Sequence, residues 1–468
     1  MKLPTIPFVI LGAFLFIVPA SVMSEPGDPV PGEFIVLCRD DCNSADVAKR
    51  HGHNPDQVYS KALSGFAGKM NGALRKQMEA DPDVVRIVPN REVVGTASPY
   101  RDPFAAWDKW LRGQREYLQN IEDLLKDVRP ENPARPSTQT IPSGVLRIGA
   151  APGELAFDGR GVGIAVIDTG IDRRHVDLRV SATYFSAFEN QFDDNGHGTH
   201  VAGLAAAIDN DRFSVGVAPR ATLYSVKVLN EFNRGVDSDI IAGLDWVAEN
   251  AQKVRPAIKV VNMSLGRPGA LDDNPAYRQS IQTLTENLGI TVVVSAGNTC
   301  GEVVKDVIPA GYPEVIAVAS TSATNGPSAC DVFLEGIVAD STSQFATAGA
   351  YDPDTRIGVT ISAPGTRNEF LNTDCIAFFN EMRSTGIGGG INIIGGSSMS
   401  AGITSGVVAL LYQQADESGV ALTSEMVRSK IMQGAEGVGV LPLINPICGF
   451  DDGDAEGILS APGALAAP

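Results

Sequence analysis

From about residue 139 to the end of the chain, short apolar runs of strand length alternate with longer stretches of helical character. The strand candidates are "GIAVID", "TLYSVKVL", "IKVVNMSL", "ITVVVSAG", "VIAVAS" and "IGVTISAPG", and most are continuous Val and Ile runs without polar alternation. Strands covered on both faces show that pattern, because neither face meets water. Between them fall helix candidates, notably "DSDIIAGLDWVAENAQK" with an acidic cap and "PAYRQSIQTLTENLG" ending in Gly. The alternation predicts an α/β fold: a mostly parallel sheet with helices on both faces, over residues 138–468. In such sheets ligands bind beyond the carboxyl ends of the strands, so the residues that follow each run are the candidates for a site.

Upstream the pattern changes. Residues 33–96 open with the strand-like "EFIVL" and close with "DPDVVRIVPNREVVG", with the short helical runs "ADVAKRHG" and "GALRKQMEADP" between them, which predicts a small α+β unit. Residues 98–137 contain "WDKWLRGQREYLQNIEDLLKDV", whose apolar positions Trp107, Trp110, Leu111, Leu118, Ile121, Leu125 and Val128 have the spacing of an amphipathic helix. A Pro-rich linker, "RPENPARPST", follows it. Packing on a neighbouring domain is the expected use of the apolar face. At the N-terminus one Lys precedes an apolar run from Phe8 to Val18, bracketed by Pro7 and Pro19 and followed by small residues. That run is too short to span a bilayer, so residues 1–24 are expected to be a secretory signal peptide cut after Ser24 or Ala20, leaving no membrane anchor.

Composition narrows the partners. A chain of 468 residues, 44% hydrophobic and 20% charged, can bury one large core or two, and is not a disordered polymer. A formal net charge of -18 excludes nucleic acid as the expected partner, since phosphate binding needs clustered Lys and Arg. Export makes the six cysteines disulfide candidates. Four lie beyond residue 290, with Cys300–Cys330 and Cys375–Cys448 the expected arrangement, while Cys38 and Cys42 in "CRDDC" stand either as a local pair or as free thiols.

The stretch "FDDNGHGTHVAG", residues 192–203, concentrates two histidines and two aspartates. A zinc-peptidase helix would place Glu beside the first His, but His197 is followed by Gly, Thr and His. Nucleophilic catalysis needs instead a base oriented by a carboxylate and a serine presented at a turn. Asp168 ends "GIAVID", and "IIGGSSMSAGITSGVVALL" offers Ser397 and Ser398 after two glycines, ahead of an apolar run of helical length. A helix N-terminus there favours developing negative charge.

With "VIDTGID", "GHGTHVAG" and "GGSSMSAG" in that order, joined by "NMSLG" and "SAGN", the chain resembles the subtilisin-like serine peptidases over roughly residues 139–465. The chain order Asp, His, Ser is the one subtilisin uses. The resemblance implies a secreted, monomeric serine endopeptidase with Asp168, His197 and Ser398 as the triad, Asn298 as an oxyanion donor, and His200 as a structural residue. It implies that Gly235 in "NRGVD" and Ser264, Leu265 and Gly266 sandwich an extended protein or peptide substrate as an added strand. Ser264 to Gly266, with Ser295, Ala296 and Gly297, would line the pocket for the residue before the scissile bond, and Val307 belongs either to that pocket or to ordinary loop packing.

The same resemblance implies a structural Ca2+ held by side chains of Gln139, Asp177 and Asn210 and carbonyls of Ile208, Arg212 and Ser214, with no catalytic metal. It makes residues 33–96 an intramolecular inhibitory propeptide, removed near Ala97 or near Ser137. One departure is Gly402, where the family has Pro in the first turn after the nucleophile, and it predicts a looser helix start. An inactive relative serving as a binding module would lose the triad, whereas all four catalytic positions are filled here. An α/β-hydrolase lipase would need Gly-x-Ser-x-Gly and the order Ser, acid, His.

Overall fold

The computed structural model describes residues 24–96, 139–185, 190–325, 339–366, 382–437 and 456–468, with the backbone of the short strands Glu369–Asn372 and Cys375–Ala377. The expected signal peptide, the helix and linker of 98–137, Cys330 and Cys448 lie outside the described residues. The centre is a seven-stranded parallel sheet in the order β14-β13-β11-β9-β5-β7-β6. Its strands are β5 (Gly163–Asp168), β6 (Val180–Phe185), β7 (Thr222–Lys227), β9 (Ile258–Met263), β11 (Thr291–Ser295), β13 (Ile316–Thr321) and β14 (Ile361–Pro364).

Burial explains the continuous apolar runs. In β5 every residue is buried: Ile164 and Val166 face one core, while Ala165 and Ile167 face the other. Helices His197–Ala206 and Ser397–Ser418 cover the first side, and Asp237–Asn250 and Pro275–Gln282 cover the second. The sequence pattern does not reveal β6, an edge strand whose residues are mostly half-exposed and so carry no apolar run. The helix from Asp237 has no acidic cap. Its N-cap is Val236, and Asp237 and Asp239 stand in the first turn, where they face the positive end of the helix dipole.

Residues 24–96 form the small α+β unit. Strand β1 (Pro29–Cys38) lies between β3 (Gly65–Lys69) and β4 (Val84–Gly95), with β2 (Gln57–Tyr59) on the far side of β3. Asn43 and Asn71 cap the two short helices Ser44–Arg50 and Gly72–Glu79 through their side-chain oxygens. Cys38 and Cys42 are free thiols, and Cys300 is disulfide-bonded. No helix among the described residues is long and apolar enough to cross a membrane.

The small unit docks on the helix Asp237–Asn250. One carboxylate oxygen of Asp245 accepts backbone N–H bonds from Ser60, Lys61 and Ala62 at 3.1, 2.6 and 2.7 Å. Tyr59, buried, donates its hydroxyl to Ser238 O (3.1 Å), and Asn90 and Ser238 exchange two further bonds. Strand β4 continues the docking: beyond its pairing with β1 it runs antiparallel between β8 (Arg234–Val236) and β10 (Leu265–Pro268), so one sheet joins both units.

Because a single carboxylate serves three N–H groups, Asp245→Ala should expose all three together. Hydrogen bonds to a charged acceptor contribute about 1.5–3 kcal/mol in protected sites and less at this solvent-facing loop, so a rise of about tenfold in exchange rate is expected. Hydrogen–deuterium exchange at Ser60, Lys61 and Ala62 measures it; unchanged protection would show that the carboxylate contributes nothing to docking.

Candidate active site

The carboxyl end of β5 supplies Asp168, the first residue of the helix after Gly196 supplies His197, and the first turn of the helix Ser397–Ser418 supplies Ser398. They meet in a buried line. His197 Nδ1 lies 2.8 and 3.0 Å from the Asp168 carboxylate oxygens, and Nε2 lies 2.9 Å from Ser398 Oγ. Ser397 does not compete for the histidine: its hydroxyl donates to Gly297 O at 3.0 Å and its N–H donates to Asn298 Oδ1 at 2.9 Å. His200 points elsewhere, with Nε2 2.9 Å from Met382 O. Among the described residues no three His, Cys, Asp or Glu side chains cluster as a metal site.

Two groups that sequence reading left without a role hold this line in place. Asp193 accepts from the Thr169 hydroxyl and the Asn195 and Gly196 N–H groups through one oxygen, and from the Thr199 N–H and hydroxyl through the other. It thereby fixes the turn that delivers His197. Buried Lys227 donates to the carbonyls of Thr169 and Leu229 and to Asp194, tying β7 to the same turn. Asp193 stands in "FDDNGHGTHVAG", and its position just before a helix start is the signal the sequence carries. Gly198 is required by close approach, since a Cβ there would overlap Gly170 O and crowd Asp168.

The cleft beside this line is filled by the end of β4. Gly95 pairs with Leu265, Val94 with Gly266 and Arg234, and Val93 with Gly235. Thr96 continues the strand, its N–H donating to Ser264 O at 2.9 Å. Its carbonyl oxygen accepts from Asn298 Nδ2 and lies at the Ser398 hydroxyl, each at 2.5 Å. The Thr96 hydroxyl contacts Ser295 and lies 2.8 Å from Ser398 Oγ. A cavity of about 540 Å³ opens beside Thr96, lined by Gly266, Gly297, Asn298 and Val307 among others, so Val307 faces this pocket. Arg267 of β10 and Asp237, the first residue of the helix that follows β8, are both buried and pair at 2.9 and 2.6 Å.

The remaining predicted residues converge at a second place. The Gln139 amide donates to Ile208 O (2.8 Å) and Ser214 O (3.0 Å), while the Asp177 carboxylate accepts from Asn210 Nδ2 (3.1 Å) and Ser214 N–H (3.2 Å). Arg212 joins through its N–H to Asn210 Oδ1. Gly402 does not loosen its helix, which runs unbroken from Ser397 to Ser418. It packs on the neighbouring helix, where a Cβ would stand 3.0 Å from Val201 O.

A buried Asp-His-Ser line at the carboxyl edge of a parallel sheet, with a small α+β unit threading a strand through its cleft, defines the subtilisin-like class of hydrolase folds. The model of the subtilase family matches residues 159–459 and that of the peptidase inhibitor I9 family matches residues 40–94. The chain belongs to the subtilase family. It is similar to subtilisin DY of Bacillus licheniformis, 40% identical over 185 residues covering 38% of this chain and 64% of that one. It is similar to subtilisin E of Bacillus subtilis (strain 168), 35% identical over 250 residues covering 50% and 63%. The chain thus spans less than two thirds of these relatives' length. A crystal structure of a cold adapted subtilisin-like serine proteinase aligns at TM-score 0.47 and 27% identity, over 65% of this chain and 89% of that one.

Burial alone would lower the His197 pKa, but the Asp168 carboxylate, by charge and by hydrogen bond, overrides it and raises the value above 6.5. Burial pushes His200 down to about 3. Imidazole titration by NMR in the uncut chain should therefore show His197 losing its proton above pH 6.5, so that it is a free base only on the alkaline side of that point. Asp168→Asn removes the main raising influence and leaves burial opposed only by the Asp193 charge, so the midpoint should fall; a midpoint that stays put would mean the Asp168 carboxylate does not set it.

Proposed function

We propose that the protein is a secreted serine endopeptidase that hydrolyses extended or unfolded polypeptides and is made as a zymogen that cuts itself. The single observation that carries this reading is the Thr96 carbonyl, held between Asn298 Nδ2 and Ser398 Oγ while His197 Nε2 faces the same oxygen of Ser398. A scissile carbonyl would occupy that position.

In this reading Ser398 Oγ attacks the carbonyl carbon as His197 Nε2 takes its proton. The C–N bond then breaks as His197 returns that proton to the leaving amine, and water, activated by the same imidazole, hydrolyses the acyl-enzyme. Asp168 keeps Nδ1 protonated and stabilises the imidazolium. Asn298 and the Ser398 N–H meet the charge that develops on the carbonyl oxygen, where a preorganised donor is most effective because it pays no reorganisation. The Asn298 side chain cannot turn freely, since its other end accepts the Ser397 N–H. Substrate recognition by backbone pairing, as β4 pairs with β8 and β10, makes the enzyme read extended chain before side chains.

The first bond to be cut is Thr96–Ala97, because Thr96 supplies the carbonyl at the serine. Residues 98–137 then stay with the enzyme, and residues up to Thr96 remain in the cleft as a competitor. We also propose a structural Ca2+ at Gln139, Asp177, Asn210 and the carbonyls of Ile208, Arg212 and Ser214. The groups there are one carboxylate, two side-chain amides and backbone carbonyls; the Gln139 and Asn210 amides turn their nitrogens onto the Ile208 and Ser214 carbonyls and onto Asp177, and rotating their oxygens inward would complete a set of hard oxygen ligands that suits Ca2+. The ion would staple the start of the domain to the loop after the His197 helix and takes no part in the chemistry.

Ser398→Ala should abolish hydrolysis of denatured casein and leave the chain uncut, whereas the wild type should yield a new N-terminus at Ala97 by mass spectrometry. Full activity in Ser398→Ala would end the mechanism, and a first cut near Ser137 would end the assignment of Thr96. Chelation should leave initial rates at low temperature unchanged and lower the melting temperature, since a ligand of the folded state adds about 4 kcal/mol at a thousandfold excess over its Kd. Asp177→Ala should remove that calcium dependence; an immediate loss of activity rescued by zinc alone would contradict the site.

A further inference from the structure

The residue ahead of Thr96 shows what the cleft admits and what it refuses. Gly95 donates its N–H to Asn233 O at 3.0 Å and accepts from the Asn233 side-chain amide at 3.2 Å. Its backbone is not left-handed, so the conformation by itself would suit any L residue. The missing quantity is room. A Cβ built on Gly95 would overlap Oδ1, Nδ2 and Cγ of Asn233, and no other group comes as near.

The Asn233 backbone is poorly placed to retreat, so a larger residue has to be met by its side chain. It sits at a left-handed φ of 60°, in a tight turn closed by Asn233 N–H to Asn230 O (2.9 Å) and Asn230 N–H to Arg234 O (2.8 Å). The Asn230 side chain braces the turn further, accepting from Phe232 and Arg234 N–H at 2.9 and 3.0 Å. To clear a larger residue, the Asn233 carboxamide must swing off the strand and give up its bond to the Gly95 carbonyl.

We propose that Asn233 is a specificity-determining residue that admits glycine and refuses larger side chains at the second position before the scissile bond. The inference rests on the peptidase reading and deepens it, naming the substrate class as extended segments with Gly at that position. Backbone pairing on either side is indifferent to sequence, so this contact supplies a selection that the strands do not.

The test compares anilide peptides Val-Val-Gly-Thr and Val-Val-Ala-Thr on the processed enzyme, with a sulfonyl fluoride counting active Ser398. Fitting one methyl at the cost of the Asn233 carboxamide's bond to the strand should lower kcat/KM by about tenfold. Asn233→Gly suits the left-handed backbone and keeps the turn, and its Gly-to-Ala ratio should fall towards one. Asn233→Asp keeps the bulk, and its ratio should stay high. Equal cleavage of both peptides by the wild type, or an unchanged ratio in Asn233→Gly, would overturn the assignment while leaving the peptidase reading intact. If neither peptide is cut and Ser398 is not labelled, the peptidase reading itself fails and this inference with it.

Discussion

Strand β4 belongs to two units at once, and the arrangement of the whole molecule depends on that sharing. Its first half pairs with β1 inside the small α+β unit, and its last residues pair on both sides with strands of the large domain. Backbone pairing has a fixed register, so once β8 and β10 hold Val93, Val94 and Gly95, the position of Thr96 is no longer free. Its carbonyl must arrive at Ser398 and Asn298. The side-chain contacts of Asp245, Tyr59 and Asn90 set the angle at which the small unit leans on the helix Asp237–Asn250, and the strand carries that placement to the site.

The site is rigid because charge has been buried only where it is matched. Asp168, Asp193 and Lys227 are all withdrawn from water, and all three bond to the short stretches around Thr169 and His197, Lys227 also to Leu229 O. A buried carboxylate without donors would cost several kcal/mol, so each such group commits its neighbours to one arrangement. Asp237 with Arg267 does the same at the far side of the cleft, tying β10 to the start of the helix that follows β8. The result is a groove whose two walls are each anchored to buried, paired charge.

Much of this was legible in the chain. Continuous Val and Ile runs marked strands buried on both faces, and "GIAVID", "IKVVNMSL" and "ITVVVSAG" became β5, β9 and β11 with their polar ends at the site. The strand β6 escaped because an edge strand shows water half of its surface and loses the run that marks its neighbours. Asp193 escaped as well. An aspartate in a polar turn looks like a solvated residue until the fold buries it against Thr169 and Thr199.

What the residues alone determined were the local chemistries: which side chains can be base, carboxylate, hydroxyl or amide, and which runs are buried on both sides. Those follow from composition and period over a few neighbours. The tertiary structure decided which groups meet. Ser397 and Ser398 are equivalent by type, and only the rotation of their helix turns one toward His197 and the other toward Gly297. Asp168 and Ser398 lie far apart along the chain, and neither Gly95 nor Asn233 carries a signal by itself. Their closeness comes from strand register across two units, a property of long-range pairing that no stretch of neighbouring residues encodes.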